Sequence, residues 1–255
     1  MIQKIDLSVG PIAYYQEIKN PELPTLVFLH DSLGCITLWR DFPSLLATRT
    51  QCNILVYDRQ GYGQSCDFSY SKREKDYLEL EADLLQELLE KLNIKHPILF
   101  GHSDGGSIAL LAAAKYPATI KAIITEGAHL FVEEITIKGI QDALEAYQNN
   151  DLKRKLEKYH GAKTESMFKA WTETWLDASF RDWNIEEFIP KIQCPILVLQ
   201  GEYDEFGTEE QIKSILKNTL AKALIVPNAK HTPHKEQPDF ILEQTAQFIE
   251  QLHKH

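Results

Sequence analysis

Short apolar runs separated by amphipathic stretches recur along this chain. Runs such as residues 25–29, 54–57 and 97–100 are typical of strands buried on both faces of a parallel sheet. Between two of them, apolar residues at helical spacing over residues 77–92 predict an amphipathic helix. Because strands that alternate with helices need right-handed crossovers, the pattern predicts a mostly parallel sheet flanked by helices.

Two opening strands are predicted at residues 2–9 and 12–18, on either side of the turn at Gly10 and Pro11. Apolar runs at 120–125, 196–199 and 224–226 repeat the buried-strand pattern, and a last helix is predicted near 240–252. The segments together predict an α/β fold with about eight strands. In such folds, reactive groups gather beyond the carboxyl ends of the strands.

Residues 131–190 interrupt this alternation, because they carry no strand signal and indicate several helices. An insertion between two strands predicts a helical cap, with residues 1–130 and 191–255 forming the core domain. The aromatic residues of such a segment most often pack the cap against the core. Trp171 and Trp175 share one helix face, so they are the first candidates for lining a pocket.

A G-x-S-x-G signature stands between the apolar run 97–100 and a helical stretch at 107–114. It is formed by Gly101, Ser103 and Gly105. A serine on such a sharp strand-to-helix turn projects out of the backbone, and the glycines relieve the crowding of the turn. The alternative is an ordinary tight turn, which the strand before it and the helix after it disfavour. Ser103 is therefore the candidate nucleophile.

A serine hydroxyl is a weak nucleophile at neutral pH and needs a base within hydrogen-bond reach. His231 lies on a loop after the last predicted strand, and imidazole has a pKa near neutrality, which suits a general base. His234 is its chief rival. We expect the histidines near other strand ends to be structural and those of the tail to be frayed, namely His30, His96, His102, His129, His253 and His255.

The histidine in turn needs a carboxylate that holds its tautomer and stabilises its cation. Asp204 lies just beyond the predicted strand 196–199. After it, Thr208 and Gln211 form a capping-box pattern that starts a helix, which fixes the acid on a strand-to-helix loop. Three other carboxylates compete for the role, those of Glu126, Glu202 and Glu205.

Composition narrows the possible partners. The formal net charge of −10 argues against nucleic acid, since phosphate binding needs clustered Lys and Arg. The longest apolar stretches are too short to cross a bilayer, and the N-terminus lacks a signal-peptide pattern. The 4 cysteines, without C-x-x-C spacing, indicate reduced thiols rather than a disulfide framework or zinc site. We therefore expect a cytoplasmic monomer or homodimer without membrane or metal binding.

Together these segments resemble the α/β-hydrolase superfamily of serine hydrolases with a helical cap. The matching pieces are residues 30–34, 58–63, 101–105, 201–204 and 231–238. In that family the catalytic triad runs serine, acid, histidine along the chain. The resemblance therefore implies Ser103, Asp204 and His231, and its terminal motif favours His231 over His234. It implies no metal and no organic cofactor.

The resemblance also implies an oxyanion hole built from two backbone N–H groups. One belongs to Asp104, after the nucleophile, and the other to Ser32 or Leu33, in the loop after the third strand. Such donors contribute about 3 kcal/mol each to the transition state. The usual His-Gly of the family is His30-Asp31 here. Because Asp tolerates left-handed backbone better than most residues, we expect the loop to keep its shape.

Asp104 bears most directly on the substrate. Residues 101–106 resemble the biphenyl-hydrolase-like (valacyclovir hydrolase) group, in which the acidic residue after the nucleophile holds the α-amino group of the substrate. The resemblance implies that Asp104 binds an amine on the acyl side of an ester, where an ammonium partner offsets the desolvation of its carboxylate. The alternative is that Asp104 caps the helix that begins beside it.

The sequence therefore predicts a serine carboxylic-ester hydrolase that acts on a small-molecule ester through an acyl-enzyme. One alternative is a carbon–carbon bond hydrolase of ring-cleavage products, although Asp104 beside the serine would repel an acidic dienoate. The other alternative is a non-catalytic ligand-binding protein on the same fold, which an intact triad disfavours.

Overall fold

Eight strands form one sheet in the computed structural model, which describes residues 1–70 and 72–252. Their bounds are β1 Gln3–Leu7, β2 Gly10–Glu17, β3 Thr25–Leu29, β4 Asn53–Tyr57, β5 Ile98–His102, β6 Ala122–Glu126, β7 Ile196–Gly201 and β8 Lys222–Val226. The spatial order is β1-β2-β4-β3-β5-β6-β7-β8. The β1–β2 and β2–β4 pairs are antiparallel and the others parallel, which confirms the predicted α/β architecture.

Helices connect most of the parallel strands. Their bounds are α1 Phe42–Thr50, α2 Tyr77–Lys91, α3 Asp104–Lys115, α4 Glu134–Asn149, α5 Leu152–His160, α6 Thr164–Trp175, α7 Glu209–Asn218, α8 Pro233–Glu236 and α9 Pro238–Gln251. Helices α4, α5 and α6 belong to the connection from β6 to β7, and we call its residues 131–190 the helical insertion. Within the described ranges, no helix is both long and apolar enough to cross a bilayer. The tail residues His253 and His255 lie outside those ranges.

The central strands are buried on both faces, which explains their continuous apolar sequences. In β3, Leu26 and Phe28 face a core cluster that α1 and α9 cover. Val27 and Leu29 point to the opposite face, against a cluster that includes α2 and α3. Because neither face meets water, an alternating polar pattern would place polar groups in the core, and only a run of apolar residues suits this strand.

The turn from β5 into α3 is sterically crowded, and glycines make it possible. A Cβ atom on Gly105 would lie 2.0 Å from the carbonyl oxygen of Leu29, and one on Gly101 would lie 2.2 Å from the oxygen of Gly105. Helix α3 can therefore start directly against the end of β3. Between these glycines, Ser103 adopts a left-handed φ of 54° and stands at the carboxyl edge of the sheet.

Helix α7 starts where the sequence predicts, but only one of the two contacts of the predicted capping box forms. The hydroxyl of Thr208, the N-cap residue, accepts the N–H of Glu210 at 3.2 Å. The side chain of Gln211 does not return to Thr208. Its Oε1 accepts the N–H of Leu130 at 2.7 Å, and its Nε2 donates to the carbonyl of Phe131. Gln211 thus anchors the start of the helical insertion beside the loop of Asp204.

Candidate active site

Three loops at the carboxyl edge of the sheet bring Ser103, Asp204 and His231 together. The Nε2 atom of His231 lies 2.9 Å from Oγ of Ser103, and its Nδ1 atom lies 2.9 Å from Oδ1 of Asp204. A carboxylate oxygen only accepts hydrogen bonds, so Nδ1 carries a proton and Nε2 is free to accept the serine hydroxyl. This arrangement can draw a proton from Ser103 toward His231.

The charges of this group are set by burial and by mutual contact. Burial alone would lower the pKa of His231, but the Asp204 carboxylate outweighs it and raises the pKa above 6.5. Burial would raise the pKa of Asp204, yet the His231 ring and the N–H of Phe206 lower it to about 2. Asp204 is therefore ionised at neutral pH and holds the Nδ1–H tautomer of His231.

The residues that compete with His231 and Asp204 in the sequence are engaged elsewhere. The backbone N–H of His234 donates to Oε1 of Glu126 at 2.6 Å, and its ring Nδ1 meets Oε2 of the same carboxylate. The carboxylate of Glu202 accepts a backbone N–H of the loop before His231. That of Glu205 accepts the backbone N–H of His231 at 3.2 Å rather than its ring.

Hydrogen bonding in the loop after β3 distinguishes between Ser32 and Leu33, the two candidates for the second oxyanion donor. The N–H of Leu33 donates to Oδ2 of Asp31 at 3.3 Å, so this donor is already occupied. The N–H groups of Ser32 and Asp104 have no acceptor in the part of the chain that the structure describes. Both residues line the cavity beside Ser103.

The carboxylate of Asp104 is buried and bonds across to other elements instead of capping its own helix. Its Oδ2 accepts the Arg59 guanidinium and the Tyr77 hydroxyl, each at 3.3 Å. Trp175 of α6 donates its indole N–H to the Tyr77 oxygen at 2.9 Å. The side chain makes no capping hydrogen bond to α3, while its charge lies in the first turn of that helix, where a negative charge is favourable. Asp104 also links the elbow to α2 and to the helical insertion.

A cavity of about 180 Å³ opens beside Ser103. Trp171 and Trp175 contribute part of its wall from α6. Its lining includes the carboxylates of Asp31, Asp104 and Glu205 and, among the described residues, neither Lys nor Arg. A larger cavity of about 520 Å³ lies between Phe68 and the outer face of α6 and contains none of the three candidate catalytic residues.

The sequence is similar to those of known proteins. A profile described as the alpha/beta hydrolase fold matches residues 24–186, which is more than half of the chain. The chain belongs to the α/β-hydrolase fold family. The human protein named serine hydrolase BPHL is 31% identical over 195 residues, which cover 71% of this chain and 64% of that relative. The chain therefore spans less than two thirds of the relative's length.

Other known proteins are more distant in sequence but align over more of their length. The 2-succinyl-6-hydroxy-2,4-cyclohexadiene-1-carboxylate synthase of Enterobacter sp. (strain 638) is 26% identical over 263 residues, covering 90% of this chain and 93% of that enzyme. A carboxylesterase structure from the thaumarchaeon Nitrososphaera gargenis superposes with a TM-score of 0.80 at 18% identity, covering 99% of both chains. At that identity, the superposition shows the shared fold alone.

Beside Ser103, this α/β-hydrolase chain has a buried group of side chains whose ligand atoms are close enough to hold a metal ion. His102, Glu126 and His234 place ligand atoms within 4.8 Å of one another, and two imidazoles with a carboxylate suit zinc. Their polar atoms already bond to the protein: Nε2–H of His102 donates to the carbonyl of His231 at 2.7 Å, and His234 bonds to Glu126. A cation here would have to break these bonds.

Sequence reasoning missed Tyr77 and Phe206. Tyr77 heads the apolar stripe of α2, and no pattern distinguishes it from an ordinary core tyrosine. Phe206 follows Asp204 by two residues and donates its N–H to Oδ1 of that carboxylate at 2.9 Å, while its ring lies 4.7 Å from that of His231. The signal for Phe206 was available, because an aspartate often accepts the N–H of the residue two positions later.

Proposed function

We propose that this chain is a serine carboxylic-ester hydrolase that cleaves small esters through an acyl-enzyme. The observation that supports this most is the line of hydrogen bonds from Asp204 through His231 to Ser103. Such a line supplies the base that a serine hydroxyl needs and the carboxylate that the base needs. The similarity to the human protein named serine hydrolase BPHL supports the same chemistry.

The reaction proceeds in two halves. Oγ of Ser103 attacks the ester carbonyl while Nε2 of His231 takes its proton, and Asp204 stabilises the resulting imidazolium. The N–H groups of Asp104 and Ser32 stabilise the developing oxyanion. His231 then returns the proton to the leaving alcohol, which departs and leaves an acyl-enzyme. In the second half His231 activates a water molecule that releases the acid.

The helical insertion acts as a cap in this proposal, with residues 1–130 and 191–255 as the catalytic core. Two observations support the division: the insertion forms part of the β6–β7 connection, and its residues Trp171 and Trp175 line the cavity with Ser103. We assign both tryptophans to substrate binding. A cavity of about 180 Å³ is small beside typical ligand pockets, which supports a short acyl chain or a small alcohol.

The proposed positive charge of the substrate is inferred from the surroundings of Asp104. Arg59 and Tyr77 hold Oδ2, and Oδ1 has no hydrogen bond within the described residues, so Oδ1 is open to a ligand. The other charged residues of the cavity lining are carboxylates. We therefore assign to this site an ester with an ammonium group on its acyl side. The same charges disfavour the acidic dienoate of a carbon–carbon bond hydrolase.

We place the enzyme in the cytoplasm, where it works as a monomer or homodimer without metal or organic cofactor. All four cysteines are free thiols, which suits a reducing compartment.

Labelling with a fluorophosphonate probe tests the proposed chemistry, because the probe reacts with an activated serine. We expect wild-type protein to be labelled and to hydrolyse p-nitrophenyl acetate, and Ser103→Ala to do neither. Circular dichroism shows whether the variant remains folded. Folded wild-type protein without Ser103-dependent labelling or turnover would refute the proposal and favour a ligand-binding protein.

A matched pair of esters tests whether the site recognises an α-amino group on the substrate. Alanine benzyl ester and propionate benzyl ester differ only in the α-amino group. We expect wild type to prefer the alanine ester by at least about tenfold in kcat/KM, and Asp104→Asn to lose this preference. The propionate ester is the internal control, because a general defect lowers both rates. Equal rates on both esters in both proteins would refute the amine assignment.

A further inference from the structure

Glu126, the last residue of β6, contacts both the nucleophile segment and the base segment. Its carbonyl oxygen accepts the N–H of Ser103 at 2.8 Å. Its carboxylate accepts the N–H of His234 at 2.6 Å through Oε1 and faces the ring Nδ1 of His234 with Oε2. One fully buried residue thus connects the nucleophile elbow to the loop that carries His231.

His102 provides a second connection beside the first. It is the register partner of Glu126 in the β5–β6 pair and directly precedes Ser103. Its Nε2–H donates to the carbonyl of His231 at 2.7 Å. The segment 231–234 is therefore held at its first residue by His102 and at its last by Glu126. Both supports come from adjacent positions on neighbouring strands, so they fix the segment relative to Ser103.

The surroundings of His234 favour one position of its ring. The ring packs 4.7 Å from that of Trp39 and 5.5 Å from that of Phe42, centroid to centroid. Burial raises the pKa of Glu126, but His234 outweighs it, and the pKa lies below its ordinary value. The carboxylate is therefore ionised and depends on its two bonds to His234, because an unpartnered buried carboxylate is costly.

We propose that Glu126 and His234 are positioning residues that set the distance between Ser103 and His231. The inference rests on the proposed function, since it assigns them to the same reaction. Neither residue lines the cavity of about 180 Å³ beside Ser103. They act through His231, so their loss should lower kcat and leave KM nearly unchanged. A displacement of about 1 Å in a catalytic group can cost about 100-fold in rate.

Four variants test this role with p-nitrophenyl acetate as the probe. Glu126→Gln and His234→Leu should each lower kcat about 100-fold, with KM within about threefold of wild type. His234→Asn should recover most of kcat, because its side-chain N–H can replace the ring Nδ1–H. The control is Ile249→Ala, a buried site in α9, which should lower the unfolding midpoint and leave kcat near that of wild type.

A nuclear magnetic resonance readout distinguishes this inference from the proposed function. The Nδ1 proton of His231, held by Asp204, should give a downfield resonance in ¹⁵N-histidine-labelled wild type, and Glu126→Gln should shift or broaden it. If wild type shows no Ser103-dependent turnover, the proposed function fails, and this resonance still tests the positioning. Unchanged kcat and resonance in Glu126→Gln would overturn the inference. So would an equal loss of kcat in Ile249→Ala at a matched unfolding midpoint.

Discussion

The Nε2 atom of His231 lies 2.9 Å from Oγ of Ser103, although 128 residues separate the two in the chain. The distance is within hydrogen-bond range. No loop movement is needed to bring the base to the hydroxyl. The pH dependence of the reaction should therefore reflect the protonation of His231 itself.

Activity should depend on the protonation state of His231. His231 accepts the serine proton only when its ring is neutral, and Asp204 raises its pKa above 6.5 despite burial. Activity should therefore fall as the pH decreases, with a midpoint above 6.5. The measurement is kcat/KM for p-nitrophenyl acetate from about pH 5 to about pH 9. A midpoint at or below 6.5 would contradict the assigned ion pair.

Removing the charge of Asp204 should lower kcat more than it changes KM. In Asp204→Asn the ring of His231 loses the carboxylate that holds its Nδ1–H tautomer, and we expect kcat to fall about 10⁴-fold. The midpoint of the acid limb should also move to lower pH, because the charge that raises the pKa of His231 is gone. Steady-state kinetics across pH measures both effects.

Glu202→Gln is the matched control for that variant. Glu202 lies in the same loop, and its carboxylate accepts a backbone N–H without contacting the His231 ring. Its kcat should stay within about threefold of wild type, since it changes a surface contact. A similar loss of kcat in both variants would show that disturbance of the loop, rather than loss of the Asp204 carboxylate, causes the decrease.

The buried pair of Arg59 and Asp104 predicts an asymmetric effect on stability. Their side chains are 0% and 2% exposed, and the charged atoms lie 3.3 Å apart. Arg59→Met leaves the Asp104 carboxylate without its cation, which should lower the free energy of unfolding by about 3–5 kcal/mol. Urea denaturation followed by fluorescence measures this loss.

The double variant tests the cause of that loss. In Arg59→Met with Asp104→Asn, the charge of Asp104 is removed together with that of Arg59, and part of the stability should return. If the double variant is less stable than Arg59→Met by the full effect of Asp104→Asn alone, the two side chains act independently, and the pair is not the source of the loss.

Two glycine substitutions should differ in severity because of what surrounds them. A Cβ on Gly105 would lie 2.0 Å from the carbonyl oxygen of Leu29, a backbone atom at the carboxyl end of the buried strand β3. Gly105→Ala should therefore cost more than about 4 kcal/mol or prevent folding. The comparison is Gly161→Ala, where nothing lies within 4 Å of the added Cβ and only the positive φ of 56° is strained.

For Gly161→Ala we expect a loss of about 1–3 kcal/mol, the usual cost of holding a residue with a side chain in a sparsely populated backbone region. Thermal and urea unfolding of both variants measure the difference. Comparable stability of the two would show that the elbow can relax away from β3, against the close contact that the structure describes.

Much of this fold was predictable because burial leaves a clear pattern. The strand β3 is almost entirely apolar because both faces of the sheet are covered. The elbow at Ser103 is recognisable in the sequence from the glycines that its crowded turn requires. The loops of Asp204 and His231 could be chosen because parallel strands end at a common edge. Each of these signals is local to a few residues or follows from strand order.

The remaining features depend on how distant loops meet, which no local pattern encodes. The side chain of Asp31 occupies the N–H of Leu33, and Gln211 bonds to the start of the helical insertion instead of capping its helix. The sequence presented Glu126 and His234 as separate rivals for catalytic roles, whereas they bond to each other. Only the relative placement of β6 and α8 determines this pairing.

Trp171 and Trp175 belong to α6, whereas Ser103, Asp204 and His231 stand on loops of the sheet. If the proposed function holds, mutations in α6 should reshape the substrate cavity while Ser103, Asp204 and His231 stay where they are. Over evolutionary time, duplicated copies of such a gene can diverge in substrate specificity while they keep the same reaction. Laboratory selection for new substrates should begin with that helix.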